Sequence, residues 1–122
     1  MRLVDSDHQM TRHEIRKHWP SFSRVEQMSR IGDAVREAMD ANGRSDGRAF
    51  HRAFEVITER FLLTFTDPKW SDRNVSPGGL KEPAIVCAVV CDAIVGGNTY
   101  GTDLDSLDRY FMQFALAARR GR

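Results

Sequence analysis

The sequence predicts an all-α fold, a compact bundle of about five helices around a buried central helix at 83–95. Three segments repeat apolar residues at helical spacing, a fourth is apolar nearly all round, and capping signals mark the helix starts. With 122 residues, 41% hydrophobic and 29% charged, the chain is expected to be one globular domain over 1–122 with a loose arm at 1–10.

The first helix is short and is predicted from its two ends. Thr11 with Glu14 three residues later forms a capping box, in which each side chain bonds the backbone N–H of the other. Pro20 ends the helix, because the residue before a proline is displaced from the helical region.

A second helix is predicted near 23–41, with Ser21 or Ser23 as its cap and Asn42-Gly43 as its end. A three-four spacing of apolar residues indicates one buried stripe. These residues are Val25, Met28, Ile31, Val35, Ala38 and Met39.

The third helix is predicted from Ser45-Asp46 to about Phe65, with a broad aromatic face directed to the core. The aromatic face of this helix consists of Phe50, Phe54, Ile57 and Phe61.

Residues 66–81 then break the helical pattern. A loop of that length is uncommon in a compact domain and is often functional or mobile.

The central helix is predicted from Pro83 to Val95, because proline suits a first helical turn and Gly96-Gly97 suits a left-handed cap. Its Val and Ile content also favours a buried strand, but its length is more typical of a helix. The segment is too short for a membrane span, and Asp92 interrupts it.

The last helix is predicted to start at Thr102, with Asp103 and Asp105 in the turn where the helix dipole favours acids. Its apolar residues again follow a three-four spacing. They are Leu104, Leu107, Phe111, Phe114 and Ala118.

Composition and motifs argue against several classes of function. Basic and acidic residues nearly balance, at 18 and 17, whereas dedicated nucleic-acid binders usually carry a basic excess. Cys87 and Cys91 are expected to be free buried thiols, and the polar N-terminus carries no signal segment, so a cytoplasmic location is predicted. We predict no enzyme, no catalytic or metal site and no cofactor. Asp92 is expected to pair with Arg109 or Tyr110, or to be exposed.

Protein–protein interaction remains as the predicted function, as an adaptor, an assembly subunit or a small inhibitor of a macromolecular machine. An inhibitor encoded by a phage or plasmid would fit the same description, and homo-oligomerisation is compatible with it. Candidate binding residues lie in the loops flanking the central helix, where aromatic and basic side chains resemble interface hot spots. They are Lys69, Trp70, Arg73, Asn74 and Tyr100. The alternative for Trp70 is that it covers the end of the bundle.

The alternative function is nucleic-acid binding by a helix-turn-helix-like region at 11–41. Four basic residues would contact phosphates: Arg12, Arg16, Lys17 and Arg24. Against this interpretation, the second helix also carries four carboxylates, which phosphates would repel. They are Glu26, Asp33, Glu37 and Asp40.

Overall fold

The computed structural model describes residues 10–72, 74, 78–95, 101 and 103–120. These ranges contain six α-helices and no strand, which confirms the predicted all-α class. A 3₁₀ turn at Trp19–Ser21 follows the first helix. The helices are α1 (Arg12–His18), α2 (Arg24–Gly43), α3 (Gly47–Phe65), α4 (Pro68–Ser71), α5 (Lys81–Ile94) and α6 (Leu104–Arg120). None of the helices in this part of the chain has the length and apolar character needed to cross a membrane.

Capping side chains start the first three helices. The Thr11 hydroxyl accepts from the Glu14 N–H at 3.1 Å, and the Glu14 carboxylate accepts from the Thr11 N–H at 2.8 Å. Ser23 and Glu26 form the same reciprocal pair at the start of α2. Asp46 caps α3 by accepting from the Ala49 N–H at 3.1 Å. The predicted start of the first helix is therefore confirmed, and Ser23 is the cap of the second.

A turn at residues 44–46 joins α2 to α3. Gly43 is the last helical residue of α2, close to the predicted end. Ser45 takes the left-handed conformation with φ 58°, and the Asp46 N–H donates to the Ala41 carbonyl at 2.9 Å. This closure resembles the six-to-one bond of a Schellman cap, with serine where glycine is usual.

The centre of the bundle is α2, and the predicted central position of residues 83–95 is wrong. Eight residues of α2 are buried, and both α3 and α6 pack against this helix. The predicted helix exists as α5, but it packs mainly against α3 and buries three residues. Ile85 and Val95 of α5 are 53% and 58% exposed. An apolar helix is buried all round only when neighbours cover every side, and here one side has no cover among the described residues. The predicted cap Gly96-Gly97 lies outside those residues.

Gly32 of α2 lies directly against Phe111 of α6. A Cβ atom built on Gly32 would come within 2.6 Å of the Phe111 Cβ and 2.8 Å of its Cγ. Side chains larger than hydrogen do not fit in that space without movement of a helix. The glycine therefore sets how closely α6 approaches the central helix.

Candidate protein-interaction surface

Trp70, predicted as a binding residue, is buried at the end of the bundle. It lies in α4 with 5% of its surface exposed, and its Nε1–H donates to Gln27 Oε1 at 2.8 Å. Arg24 lies over the indole, 5.6 Å from the ring centroid. The exposed role of Trp70 is therefore corrected in favour of the alternative. Its indole belongs to the core, so it presents little area to a partner.

The other predicted loop residues do not form one exposed surface in the described structure. The Lys69 ammonium donates to the Pro20 carbonyl at 2.5 Å and to Asp67 Oδ2 at 3.2 Å, so this lysine joins α4 to the 3₁₀ turn. Asn74 is exposed, and its N–H donates to Asp72 Oδ1 at 2.9 Å. Arg73 and Tyr100 lie outside the described residues.

A buried polar network holds this end of the molecule together. Gln27, with 0% of its surface exposed, donates from Nε2 to the Trp19 carbonyl at 2.9 Å and to Asp67 Oδ2 at 2.8 Å. Its Oε1 accepts the Trp70 bond. Each polar atom of the Gln27 amide thus has a partner, which offsets the cost of burying it.

Asp67 is the charged member of this network. Burial raises the pKa of Asp67, but the Lys69 N–H, the Gln27 amide and the Lys69 ammonium donate hydrogen bonds to it and together outweigh burial. The net pKa of Asp67 therefore lies below its ordinary value. Its contribution to stability is complete above the unfolded-state pKa of about 3.9 and is lost as pH falls through the lower folded-state value.

Replacing Asp67 with asparagine is expected to lower the free energy of unfolding at pH 7 by about 1.5–3 kcal/mol, because hydrogen bonds to a charged group are lost. The difference from wild type should begin to narrow as pH falls below about 4, where the unfolded state takes up a proton, and should vanish below the lower folded-state pKa of Asp67. Urea denaturation at several pH values measures this. Asp105→Asn, at an exposed carboxylate of α6, serves as control. A difference for Asp67→Asn that is constant with pH would contradict the assignment.

The basic residues predicted to contact nucleic acid are largely engaged with carboxylates or aromatic rings. Arg12 Nε donates to Glu59 Oε1 at 2.8 Å, and Arg16 Nη1 donates to Glu59 Oε2 at 3.1 Å. Burial raises the pKa of Glu59, but these two guanidinium groups outweigh it and hold the pKa below its usual value. Arg24 stacks over Trp70, while Lys17 is exposed. Paired guanidinium groups leave less positive charge for phosphates, and this weakens the nucleic-acid alternative.

Asp92 and His51, two side chains that could act as an acid or a base, do not line either of the two larger cavities, each of about 490 Å³. Asp92 is half-buried, and the Tyr110 hydroxyl, one of its two expected partners, donates to Glu82 Oε2 at 2.8 Å. His51 is exposed beside Glu55, with 3.3 Å between Nε2 and Oε2. The described residues contain no group of three or more His, Cys, Asp or Glu side chains that could hold a metal ion.

The two cysteines of α5 are free thiols and half-buried. Burial and the neighbouring Cys91 raise the pKa of Cys87 to about 11. This thiol is therefore protonated at neutral pH, and a protonated thiol is a poor nucleophile.

The largest exposed apolar feature on α5 is its side opposite the core. Pro83, Val86 and Val90 face inward. The residues on the other side form a stripe at helical spacing, which we call the α5 outer face: Lys81, Ala84, Ile85, Ala88, Asp92 and Val95. All are exposed except Asp92, which is half-buried.

An apolar groove lies beside the α5 outer face, between α5 and α6. It has a volume of about 240 Å³ and is lined by Ile85, Val86, Val89, Ser106, Leu107 and Tyr110. Ile85, Val86 and Tyr110 also line one of the larger cavities, whose other lining residues include the charged Arg24, Lys81 and Glu82. The bond from Tyr110 to Glu82 fixes α6 to the first turn of α5.

The sequence interpretation missed this surface because it placed the whole of residues 83–95 in the core. One feature of the sequence could have indicated this exposed surface: the helix has no polar stripe and lies near the end of a small chain. Such a helix needs more covering surface than three or four neighbours of this length supply.

Comparison with known proteins gives no assignment, because no protein-family model, curated protein or solved structure matches this chain.

Proposed function

We propose that this protein acts without catalysis, by binding another protein through the α5 outer face and the adjoining α5–α6 groove. The observation that carries the proposal is Ile85, a large apolar side chain 53% exposed beside an apolar groove of about 240 Å³. Exposed apolar patches rimmed by polar residues are typical of protein-interaction sites.

The arrangement of the surface supports this proposal in two further ways. Val86, Val89 and Leu107 form an apolar floor that a partner's side chain could fill, while Lys81 and Glu82 supply charges at the rim. An apolar centre with a polar rim is the usual anatomy of an interface. The roles open to such a protein are those of an adaptor, an assembly subunit or a small inhibitor. A cytoplasmic location, with Cys87 and Cys91 as free thiols, is part of the proposal.

Replacing Ile85 with glutamate is expected to weaken partner binding by about 2 kcal/mol or more, roughly 30-fold, because it places a charge at the centre of the surface. The measurement is affinity capture from native lysate, repeated with nuclease and at raised salt. Leu62→Glu is the matched control, since Leu62 is 62% exposed on α3 and does not line the groove.

A partner retained by wild type and Leu62→Glu but lost with Ile85→Glu would support the proposal. Equal retention by all three proteins would contradict it. Recovery of nucleic acid that is lost with salt would instead favour the basic residues of α1.

A further inference from the structure

On the α5 outer face, side chains of complementary size or charge lie at equal distances on either side of the middle of the helix. Ile85 is large and Ala88 is small, and they lie one turn apart near the middle of the helix. Lys81 and Asp92 carry opposite charges near opposite ends, about 17 Å apart along the axis at 1.5 Å per residue. A face of this kind can match a copy of itself.

We propose that the α5 outer face binds the same face of a second copy of this chain, with the two α5 helices antiparallel. This proposal rests on the proposed function, because it assigns the partner to the same surface. The two copies are related by a two-fold axis that lies level with the midpoint between Val86 and Cys87 of α5. Each contact therefore occurs twice.

Two independent pairings select the same register. With the axis at that point, Ile85 of one copy meets Ala88 of the other, so a large side chain packs over a small one. In the same register Lys81 of one copy meets Asp92 of the other. The register that matches large and small side chains is therefore also the register that matches opposite charges.

Charge also selects the antiparallel direction. A parallel pair would bring each Lys81 to the other Lys81 and each Asp92 to the other Asp92, and like charges across an interface are unfavourable. Ala84 and Ala88 are exposed on the same face, and their small side chains allow an interaxial distance near the short end of the usual range of about 8–10 Å.

The first experiment is sedimentation equilibrium on the purified full-length chain over a range of concentrations. Wild type and Leu62→Glu are expected to form dimers, and Ile85→Glu is expected to remain monomeric. Circular dichroism of each variant checks that its helices are intact. A wild type that is monomeric at its highest attainable concentration, or an Ile85→Glu variant that still dimerises, would overturn the proposal.

The second experiment tests the register through charge. Lys81→Glu is expected to raise the dissociation constant of the dimer roughly tenfold, because two attractive pairs become repulsive. Combining Lys81→Glu with Asp92→Lys should restore an affinity near that of wild type. A folded double variant as weak as the single one would overturn the antiparallel register.

Salt dependence supplies the same test without a change at Asp92. Added salt should weaken the wild-type dimer and strengthen the Lys81→Glu dimer, since screening reduces attraction in the first and repulsion in the second. The same direction of change in both proteins would contradict the pairing.

The outcomes separate this proposal from the function on which it rests. A purified protein that is monomeric, yet captures a different protein in a way that depends on Ile85, would overturn self-association and support the proposed function. A monomeric protein with no capture that depends on Ile85 would overturn both.

Discussion

Replacing Trp70 with alanine is expected to lower the free energy of unfolding by about 3–5 kcal/mol, as large-to-small changes of buried tryptophan do. The side chain is 5% exposed, and the change removes both its ring contacts and the bond to Gln27. Gln27 Oε1 would be left buried without a donor. Urea denaturation, monitored by circular dichroism so that the tryptophan itself is not the probe, measures the loss.

A pair of tryptophan-to-phenylalanine changes separates the hydrogen bond from the packing. Trp70→Phe strands Gln27 Oε1 and should cost about 1–3 kcal/mol for the unsatisfied acceptor, beyond the lost contacts. Trp19→Phe removes the same atoms from a side chain that is 1% exposed, but its Nε1 has no hydrogen-bond partner among the described residues. The change at Trp70 should therefore cost more. Equal losses would show that the bond to Gln27 contributes little.

Replacing Gly32 with alanine is expected to destabilise the protein by about 1–2 kcal/mol, although alanine is the better helix former. The gain in helix propensity is about 1 kcal/mol, whereas overpacking costs about 1–3 kcal/mol. The cost should lie at the upper end because the new Cβ would meet the Phe111 Cβ at 2.6 Å. That atom is attached to the backbone of α6 and cannot rotate away.

Gly43→Ala is the matched control for this prediction. Gly43 is also a helical residue of α2, but nothing lies within 4 Å of a Cβ built there. This change should leave the free energy of unfolding unchanged or raise it by up to about 1 kcal/mol. Urea denaturation of both variants compares them. A Gly32→Ala protein as stable as the Gly43→Ala protein would contradict the close contact between α2 and α6.

Local signals in the sequence were enough to place five of the six helices among the described residues; α4 (Pro68–Ser71) lies inside the predicted loop at 66–81. Thr11 and Glu14 identify the start of α1, and the apolar residues Ala53, Ile57 and Phe61, each four residues from the next, identify the inner face of α3. These signals depend on residues close together in the chain, so they require no knowledge of the tertiary arrangement.

The arrangement of the helices could not be derived in the same way. Hydropathy favoured residues 83–95 as the centre, but the number of neighbours that reach a helix depends on the whole chain. The central position of α2 follows from small residues such as Gly32 and Ala38, which allow other helices to approach it closely. The sequence alone does not show which helices approach α2.

The candidate site was missed for the same reason. Trp70 and Ile85 are both apolar residues near the same end of α5, and composition alone gives the larger aromatic the stronger claim to an interface. The hydrogen bond between Trp70 and Gln27, which are 43 residues apart, holds the indole inside, whereas Ile85 is 53% exposed.

Two helices, α3 and α6, pack against the central helix α2, and the length of chain that connects each of them to α2 is very different. α3 follows α2 through the turn at 44–46, so the two can form a helical hairpin with little loss of chain entropy. Gly32 and Phe111 must be brought together across most of the chain, and the entropy lost in closing such a loop grows with the logarithm of its length. Docking of α6 therefore carries the greater loop-closure cost, and we expect it to follow assembly of the hairpin.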